Sequence, residues 1–323
     1  MGAIEIKSLT KKFNNFIAVD NLNFEINEGE LFGFLGPNGA GKTTTIYMLA
    51  TILQPTSGTA TINGFDLLKE PEKIRESIGI VFQDQTVDIN LSAYDNLKVH
   101  AMLYGVESEK IEKRIDEVLN LVELKEKKHE LVKRFSGGMK RRLEIARGLV
   151  HTPKILFLDE PTLGLDPQTR RHIWDYIEEL KKHGVTILLT THYMEEADAL
   201  CDRVAIIDRG KLIALDKPSE LKSKVGGNLI EIKSNKIDRL MELLNKNKIK
   251  NVKISEDKCC VRMKDGSAII PKIVKIAGEE NIEIDGIEFH PPSLEDVFIH
   301  YTGKVLRDEA PDQEHMRRHA HAH

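Results

Sequence analysis

Gly36-Pro37-Asn38-Gly39-Ala40-Gly41-Lys42-Thr43-Thr44 fits the pattern G-x-x-x-x-G-K-[ST] and reads as a loop that cradles a polyphosphate. Backbone N–H groups must curl around the anion at close range, which favours glycine wherever a Cβ would block the approach. Gly36, Gly39 and Gly41 supply that freedom. Lys42 brings a point charge to the β- and γ-phosphates, and the Thr43 hydroxyl is placed to ligate a bridging Mg²⁺. The flanks agree: Leu31-Phe32-Gly33-Phe34-Leu35 reads as a buried strand, and Thr43 to Ile52 as a helix whose N-terminus faces the phosphates.

Around this loop lies a chain of 323 residues, 41% hydrophobic, enough for two unequal domains. Its formal net charge of -4 argues against a general nucleic-acid-binding surface. The three cysteines, Cys201 and the adjacent Cys259 and Cys260, make no disulfide framework and point to a reducing compartment. No apolar run approaches the roughly eighteen residues of a membrane span, and no charged-then-apolar leader opens the chain. The expectation is a chain that neither crosses a membrane nor leaves the cell unaided.

Upstream of the loop, Ile4 to Lys7 and Leu22 to Ile26 alternate as antiparallel strands. Phe13, between them, is the candidate to stack on a nucleotide base, although an isolated Phe there also fits a core role. Downstream, Gly58 to Asn63 reads as a strand, and Ile78-Gly79-Ile80-Val81-Phe82 as a buried one ending at Gln83. Polar groups at strand tips are where open α/β sheets meet their ligands. From Leu91 to Leu131 the pattern is helical and charged, a helical insertion with apolar spacing through Ile111, Ile115, Val118, Leu119 and Val122. Ser136 then caps a helix that begins Gly137-Gly138-Met139, leaving a bare N-terminus suited to an anion.

The next apolar strand, Ile155-Leu156-Phe157-Leu158, delivers Asp159 and Glu160 together at its carboxyl end. Adjacent side chains point apart, so one acid can serve Mg²⁺ while the other takes a catalytic position. Leu163-Gly164-Leu165-Asp166 follows as a tight loop. The strand Val185 to Leu189 ends in Thr190-Thr191-His192, which sets a histidine at the strand tip as a phosphate sensor.

In that order the residues resemble the nucleotide-binding subunit of an ATP-binding-cassette transporter, from about Ile4 to Leu221: aromatic A-loop (Phe13), Walker A (Gly36 to Thr43), Q-loop (Gln83), signature (Ser136-Gly137-Gly138), Walker B (Ile155 to Asp159), catalytic glutamate (Glu160), D-loop (Gly164-Leu165-Asp166) and switch histidine (His192). The resemblance implies an α/β P-loop NTPase with a RecA-like core, an antiparallel β subdomain and a helical insertion at about 91–150. It departs from the family at two positions: Phe13 stands where tyrosine is usual, and Met139 replaces a glutamine. Neither change removes a catalytic group.

The family implies ATP and Mg²⁺ as cofactors. Gly36, Pro37, Asn38, Gly39, Ala40, Gly41, Lys42, Thr43 and Thr44 hold ATP with Phe13; Thr43, Asp159 and Gln83 organise Mg²⁺; Glu160 polarises water; His192 contacts the γ-phosphate. Ser136, Gly137, Gly138, Met139 and Asp166 complete the site of a second copy, because family members meet head to tail. A separate polytopic permease is the implied second partner, with Gln83 and the segment 84–90 facing its docking helix. That places the chain in the cytoplasm, peripheral on the inner face of the cell membrane. No nucleic acid is expected. The alternative is a soluble cassette ATPase working on a macromolecule away from membranes. Ribosome-associated cassettes usually hold two copies per chain and chromosome-maintenance ones a long coiled coil, and this chain has neither.

After the cassette at 1–221, residues 222–304 read strand, helix, strand, strand, helix, strand, helix, a small ferredoxin-like α+β module. Its ending, Pro291-Pro292-Ser293-Leu294-Glu295-Asp296-Val297-Phe298-Ile299-His300-Tyr301-Thr302-Gly303, resembles the drug-resistance exporter branch of the family and so implies export, although related ATPases that move lipids, polysaccharides or sodium share that ending. Residues 305–323, with alternating histidines at the end, read as a disordered tail.

Overall fold

The first two strands, β1 (Gly2–Phe13) and β2 (Phe16–Asn27), run antiparallel with Phe13 opposite Phe16 across an Asn14-Asn15 turn. β3 (Leu31–Leu35) follows and is buried at every residue, as a strand covered on both faces must be. Next come α1 (Lys42–Leu49), β4 (Ser57–Ile62), β5 (Phe65–Asp66), α2 (Pro71–Ser77) and β6 (Ile78–Val81). Three helices interrupt the strands: α3 (Ala93–Leu103), α4 (Ser108–Leu121) and α5 (Gly137–Leu149). Of these, α4 buries Ile111, Ile115, Val118 and Leu119, one stripe of a 3.6-residue repeat. The chain continues as β7 (Ile155–Asp159), α6 (Pro167–Lys182), β8 (Thr186–Thr191), α7 (Met194–Leu200), β9 (Arg203–Asp208) and β10 (Lys211–Asp216). The structure is a computed structural model and describes residues 2–303 apart from 226, 248, 250, 251, 256, 257, 264 and 265. The tail at 305–323 lies outside the described residues.

Two sheets build the first compact unit, which closes at Asp216. One is antiparallel, in order β2-β1-β4-β5; the other runs β10-β9-β3-β8-β7-β6 and is parallel except where β10 pairs with β9. Phe24 of β2 stacks on Phe32 of β3 at 5.2 Å between ring centroids, joining the sheets through one apolar layer. Truncating a ring buried as fully as Phe32 costs about 3–5 kcal/mol. Parallel order is what makes the site, because β3, β6, β7 and β8 all release their loops at the same edge.

From Lys217 the second unit adds α8 (Pro218–Ser223), β11 (Asn228–Ser234), α9 (Ile237–Lys246), β12 (Val252–Ser255), β13 (Lys258–Met263), α10 (Gly266–Glu279), β14 (Ile284–His290) and α11 (Leu294–Thr302). Its sheet is antiparallel throughout in order β12-β13-β11-β14, the strand order of a ferredoxin-like split βαβ. Ile230, Ile232, Cys259 and Val261 form its core with Leu240, Leu244 and Ile273 from the helices. Ser293 and Asp296 close a reciprocal capping box on α11. All three cysteines are free thiols. No helix among the described residues is long and apolar enough to cross a membrane.

Candidate active site

Strand register assembles the site before any side chain acts. Leu35, the last residue of β3, pairs with Thr191 of β8, and Asp159, the last of β7, pairs with Thr190. The glycine-rich loop, the acidic pair and His192 therefore leave neighbouring strands side by side. The loop's path demands its glycines: Gly41 has φ +103°, and a Cβ there would lie 2.4 Å from the Ala18 carbonyl oxygen, while one on Gly36 would lie 2.5 Å from that of Ile207. Thr45 Oγ1 donates back to Gly41 O at 2.8 Å and anchors the start of α1.

Lys42 sits at the centre and is buried. Its Nζ donates to Gly36 O at 2.8 Å and Pro37 O at 3.2 Å and pairs with Glu160 Oε1 at 3.0 Å. The other carboxylate oxygen, Oε2, meets His192 Nδ1 at 2.9 Å. Glu160 thus bridges the two groups expected to contact phosphate. Burial would raise its carboxyl pKa, but the His192 hydrogen bond and the Lys42 charge outweigh burial and hold the group below the ordinary glutamate range.

Asp159 is fully buried and behaves in the opposite way. Its Oδ1 accepts from Thr190 Oγ1 at 2.5 Å and Thr43 Oγ1 at 3.3 Å. Its Oδ2 is buried without a hydrogen-bond partner among the described residues. Burial pushes the Asp159 carboxyl up, against the pull of the two threonine hydroxyls. A buried carboxylate with a spare oxygen, beside a threonine hydroxyl, is a donor set suited to a hard divalent cation.

The remaining expected residues fall elsewhere. Gln83 is exposed, two residues beyond the end of β6. Phe13 closes β1 with Lys11 Nζ 5.0 Å from its ring centroid. Ser136 caps α5, its Oγ accepting from Met139 N at 3.3 Å. With Gly138 and Met139 it lines a pocket completed by Glu123, Arg142, Thr169, His172 and Ile173, and no residue of the 36–44 loop borders that pocket. Asp166 is a helix cap, its carboxylate accepting from the backbone N–H of Gln168 at 3.1 Å and Thr169 at 3.0 Å. The chain therefore carries two separate clusters, one around Lys42 and one around Ser136.

Two structural features escaped the sequence reading. Thr190, named there only as part of a strand tip, is the strongest hydrogen-bond partner of Asp159. Glu196, on α7 and fully buried, accepts from Thr162 Oγ1 at 2.7 Å and Trp174 Nε1 at 2.9 Å, tying α6 and the segment before the 163–166 loop to the element after His192. The sequence carried one hint of the latter, an acid at a core-facing position of a short helix.

Comparison with known proteins is consistent with this geometry. Residues 19–163 match the ABC transporter family, and residues 217–302 match the family described as ATP-binding protein DrrA1-3-like, C-terminal domain. The chain is 37% identical to the daunorubicin/doxorubicin resistance ATP-binding protein DrrA of Streptomyces peucetius, covering 96% of each chain. It is 35% identical to the linearmycin resistance ATP-binding protein LnrL of Bacillus subtilis, over 94% of this chain and 100% of that protein. Among solved structures, a dimeric post-hydrolysis state of an ATP-binding cassette bound to ADP and Pi superposes with a TM-score of 0.60 at 29% identity, covering 66% of this chain and 98% of that one.

Proposed function

The chain belongs to the ABC transporter family, as an ATP-binding and ATP-hydrolysing subunit of the drug-resistance exporter type, and on that premise we propose that two copies close head to tail around two ATP molecules to drive a separate membrane permease. The observation that carries this reading is the separation of the Ser136 cluster from the Lys42 cluster within one chain. A bare helix N-terminus that borders no phosphate loop of its own has its use opposite the phosphate loop of another copy. The relative solved as a dimer bears on the same point.

Within that arrangement each residue has a role. Lys42 exchanges its Glu160 contact for phosphate oxygens, which releases the carboxylate to orient the attacking water. His192 keeps hold of Glu160 Oε2 and is placed to meet the γ-phosphate. Phe13 offers a ring face to the base, and the amides of residues 36–44 wrap the phosphates. Thr43 and Asp159, with Gln83 from the β6 loop, would hold Mg²⁺, which supplies charge neutralisation on the β- and γ-oxygens when bound. ATP binds the closed pair more tightly than its products do, so the nucleotide shifts an open-closed equilibrium by differential affinity. Asp84 to Asn90, next to Gln83, faces the permease. The subunit is then peripheral at the cytoplasmic face of the membrane, and the relatives' names support export of a small organic compound.

Mixing two inactive variants tests the shared site. Ser136→Arg and Lys42→Ala are each expected to lose hydrolysis alone. An equal mixture should recover about a quarter of the parental rate, because half of randomly formed pairs keep one intact site. A mixture that stays inactive, or Ser136→Arg protein that hydrolyses ATP normally by itself, would refute the proposal.

A further inference from the structure

Arg141, on the first turns of α5, uses every hydrogen it has. Its Nε donates to Pro161 O at 2.7 Å; Nη1 donates to Phe82 O at 2.5 Å and Glu144 Oε2 at 3.0 Å; Nη2 donates to Asp159 O at 3.0 Å and Glu160 O at 3.1 Å. A guanidinium carries five N–H donors in a planar fork, and here each has an acceptor. The residue is only 6% exposed. Its four carbonyl acceptors come from two separate places, the start of the segment after β6 that carries Gln83 and the end of β7 with the segment after it that carries Glu160. One turn along α5, Glu144 Oε1 accepts from Thr86 N at 2.5 Å, and Arg147 Nη1 donates to Thr86 O at 2.8 Å. A charged face of one helix thus clamps residues 82–86 and 159–161 together.

The clamp matters because of the backbone it holds. Glu160 has φ +45°, a left-handed conformation that a residue with a Cβ keeps only where its surroundings impose it. Its N–H donates to Thr190 Oγ1 at 3.0 Å and Thr190 O at 3.2 Å, and its carbonyl is taken by Arg141. Both peptide groups of Glu160 are therefore fixed from outside, and the carboxylate direction follows from them. We propose that Arg141 is a positioning residue for hydrolysis, setting the Glu160 carboxylate through the carbonyls of residues 159–161 and linking that setting to the Gln83 segment through Phe82. Lysine cannot substitute, since one ammonium cannot reach four carbonyls spread across the plane of a guanidinium. The inference rests on the role given to Glu160.

The full chain carrying Arg141→Lys is assayed for steady-state phosphate release and for affinity with a fluorescent ATP analogue. Arg114→Lys serves as control, because Arg114 also donates to two backbone carbonyls, Val150 O at 3.2 Å and Leu149 O at 2.8 Å, at the far end of α5. Arg141→Lys should lower kcat by about 10- to 100-fold with nucleotide affinity within about threefold, the signature of a displaced catalytic group. Arg114→Lys should leave kcat unchanged. Added to Glu160→Gln, Arg141→Lys should produce almost no further loss, because the two act through one carboxylate. The proposal is overturned if kcat stays within about threefold of the parent, if affinity falls in step with kcat, or if the double variant is additive. Failure of Arg141→Lys to fold overturns it equally, since the contacts would then serve the fold. Normal turnover by Glu160→Gln would instead remove the role of Glu160 itself, a separate result.

Discussion

Replacing Asp159 by asparagine is expected to stabilise the chain in the absence of nucleotide and metal, and to abolish its response to Mg²⁺. The carboxyl is wholly buried, and only Oδ1 has partners, Thr190 Oγ1 at 2.5 Å and Thr43 Oγ1 at 3.3 Å. Oδ2 has none among the described residues. Burial raises the folded pKa above the unfolded one, with the Glu160 charge adding to the rise. A raised acid pKa means the fold prefers the protonated form, so at neutral pH the ionised group costs stability, and that cost fades as pH falls through the raised value toward the ordinary aspartate one. Asparagine keeps the Oδ1 acceptor and carries no charge. A buried polar atom left unpaired costs about 1–3 kcal/mol, and the new amide N–H group inherits part of that burden, so the net gain should be about 1 kcal/mol. For a unit of this size that is a rise in Tm of about 2–4 °C.

Scanning fluorimetry in chelator measures that gain. The same instrument then follows Mg²⁺ added with a non-hydrolysable ATP analogue. Ligand at about a hundred times its Kd stabilises by about 2.7 kcal/mol, and the metal-dependent part of that shift should be present in the parent and missing in Asp159→Asn. A variant that melts about 2 °C or more below the parent in chelator would show that the carboxylate serves the fold, and the reasoning would fail. So would a variant that keeps the parental response to Mg²⁺.

Three further outcomes follow from the same geometry. Glu160→Gln should still bind ATP while turnover falls by about 10²–10⁴-fold, measured as equilibrium binding beside phosphate release. Because the Glu160 carboxyl is held low, its contribution to stability is complete above the ordinary glutamate range and is lost as pH falls through the depressed value. Denaturant midpoints of Glu160→Gln should therefore decline less steeply than the parent's between about pH 5 and pH 3. Gly41→Ala combines a left-handed φ with a Cβ 2.4 Å from the Ala18 carbonyl, and should cost at least about 1–3 kcal/mol in urea unfolding and weaken nucleotide binding.

Much of the site was legible because its physics is local. A phosphate loop needs particular residues in an unbroken run, and Gly36 to Thr44 announces itself without a structure. Strand-tip residues such as Asp159, Glu160 and His192 were legible too, since a buried apolar run fixes where its strand ends. What no single segment states is which tips are neighbours. The β3-β8-β7-β6 order and the Thr190–Asp159 register come from non-local pairing. The β9–β10 hairpin was also missed, although Arg209 and Gly210, both at positive φ between two apolar stretches, form a hairpin turn. The sequence motifs end at His192, short of that hairpin.

The hardest residues to read were charges at buried positions. Arg141, Glu144 and Glu196 are charges on short helices, and on α5 a helical period built on Leu143, Ile145, Ala146 and Leu149 assigns Arg141 and Glu144 to the outer face. Each is instead buried against backbone carbonyls or hydroxyls supplied by loops that approach from elsewhere in the sheet. The helix pattern records only how often apolar residues recur. It cannot record that loops ending at the same sheet edge leave carbonyls with no ladder to join, and that those carbonyls need donors. A long planar cation on the adjoining helix is one of the few side chains able to satisfy several at once. In a parallel sheet, then, the loops that make the chemistry also create the demand for buried charge behind it, and charged residues interleaved with the apolar stripe of the next helix are where to look for the groups that hold the site in place.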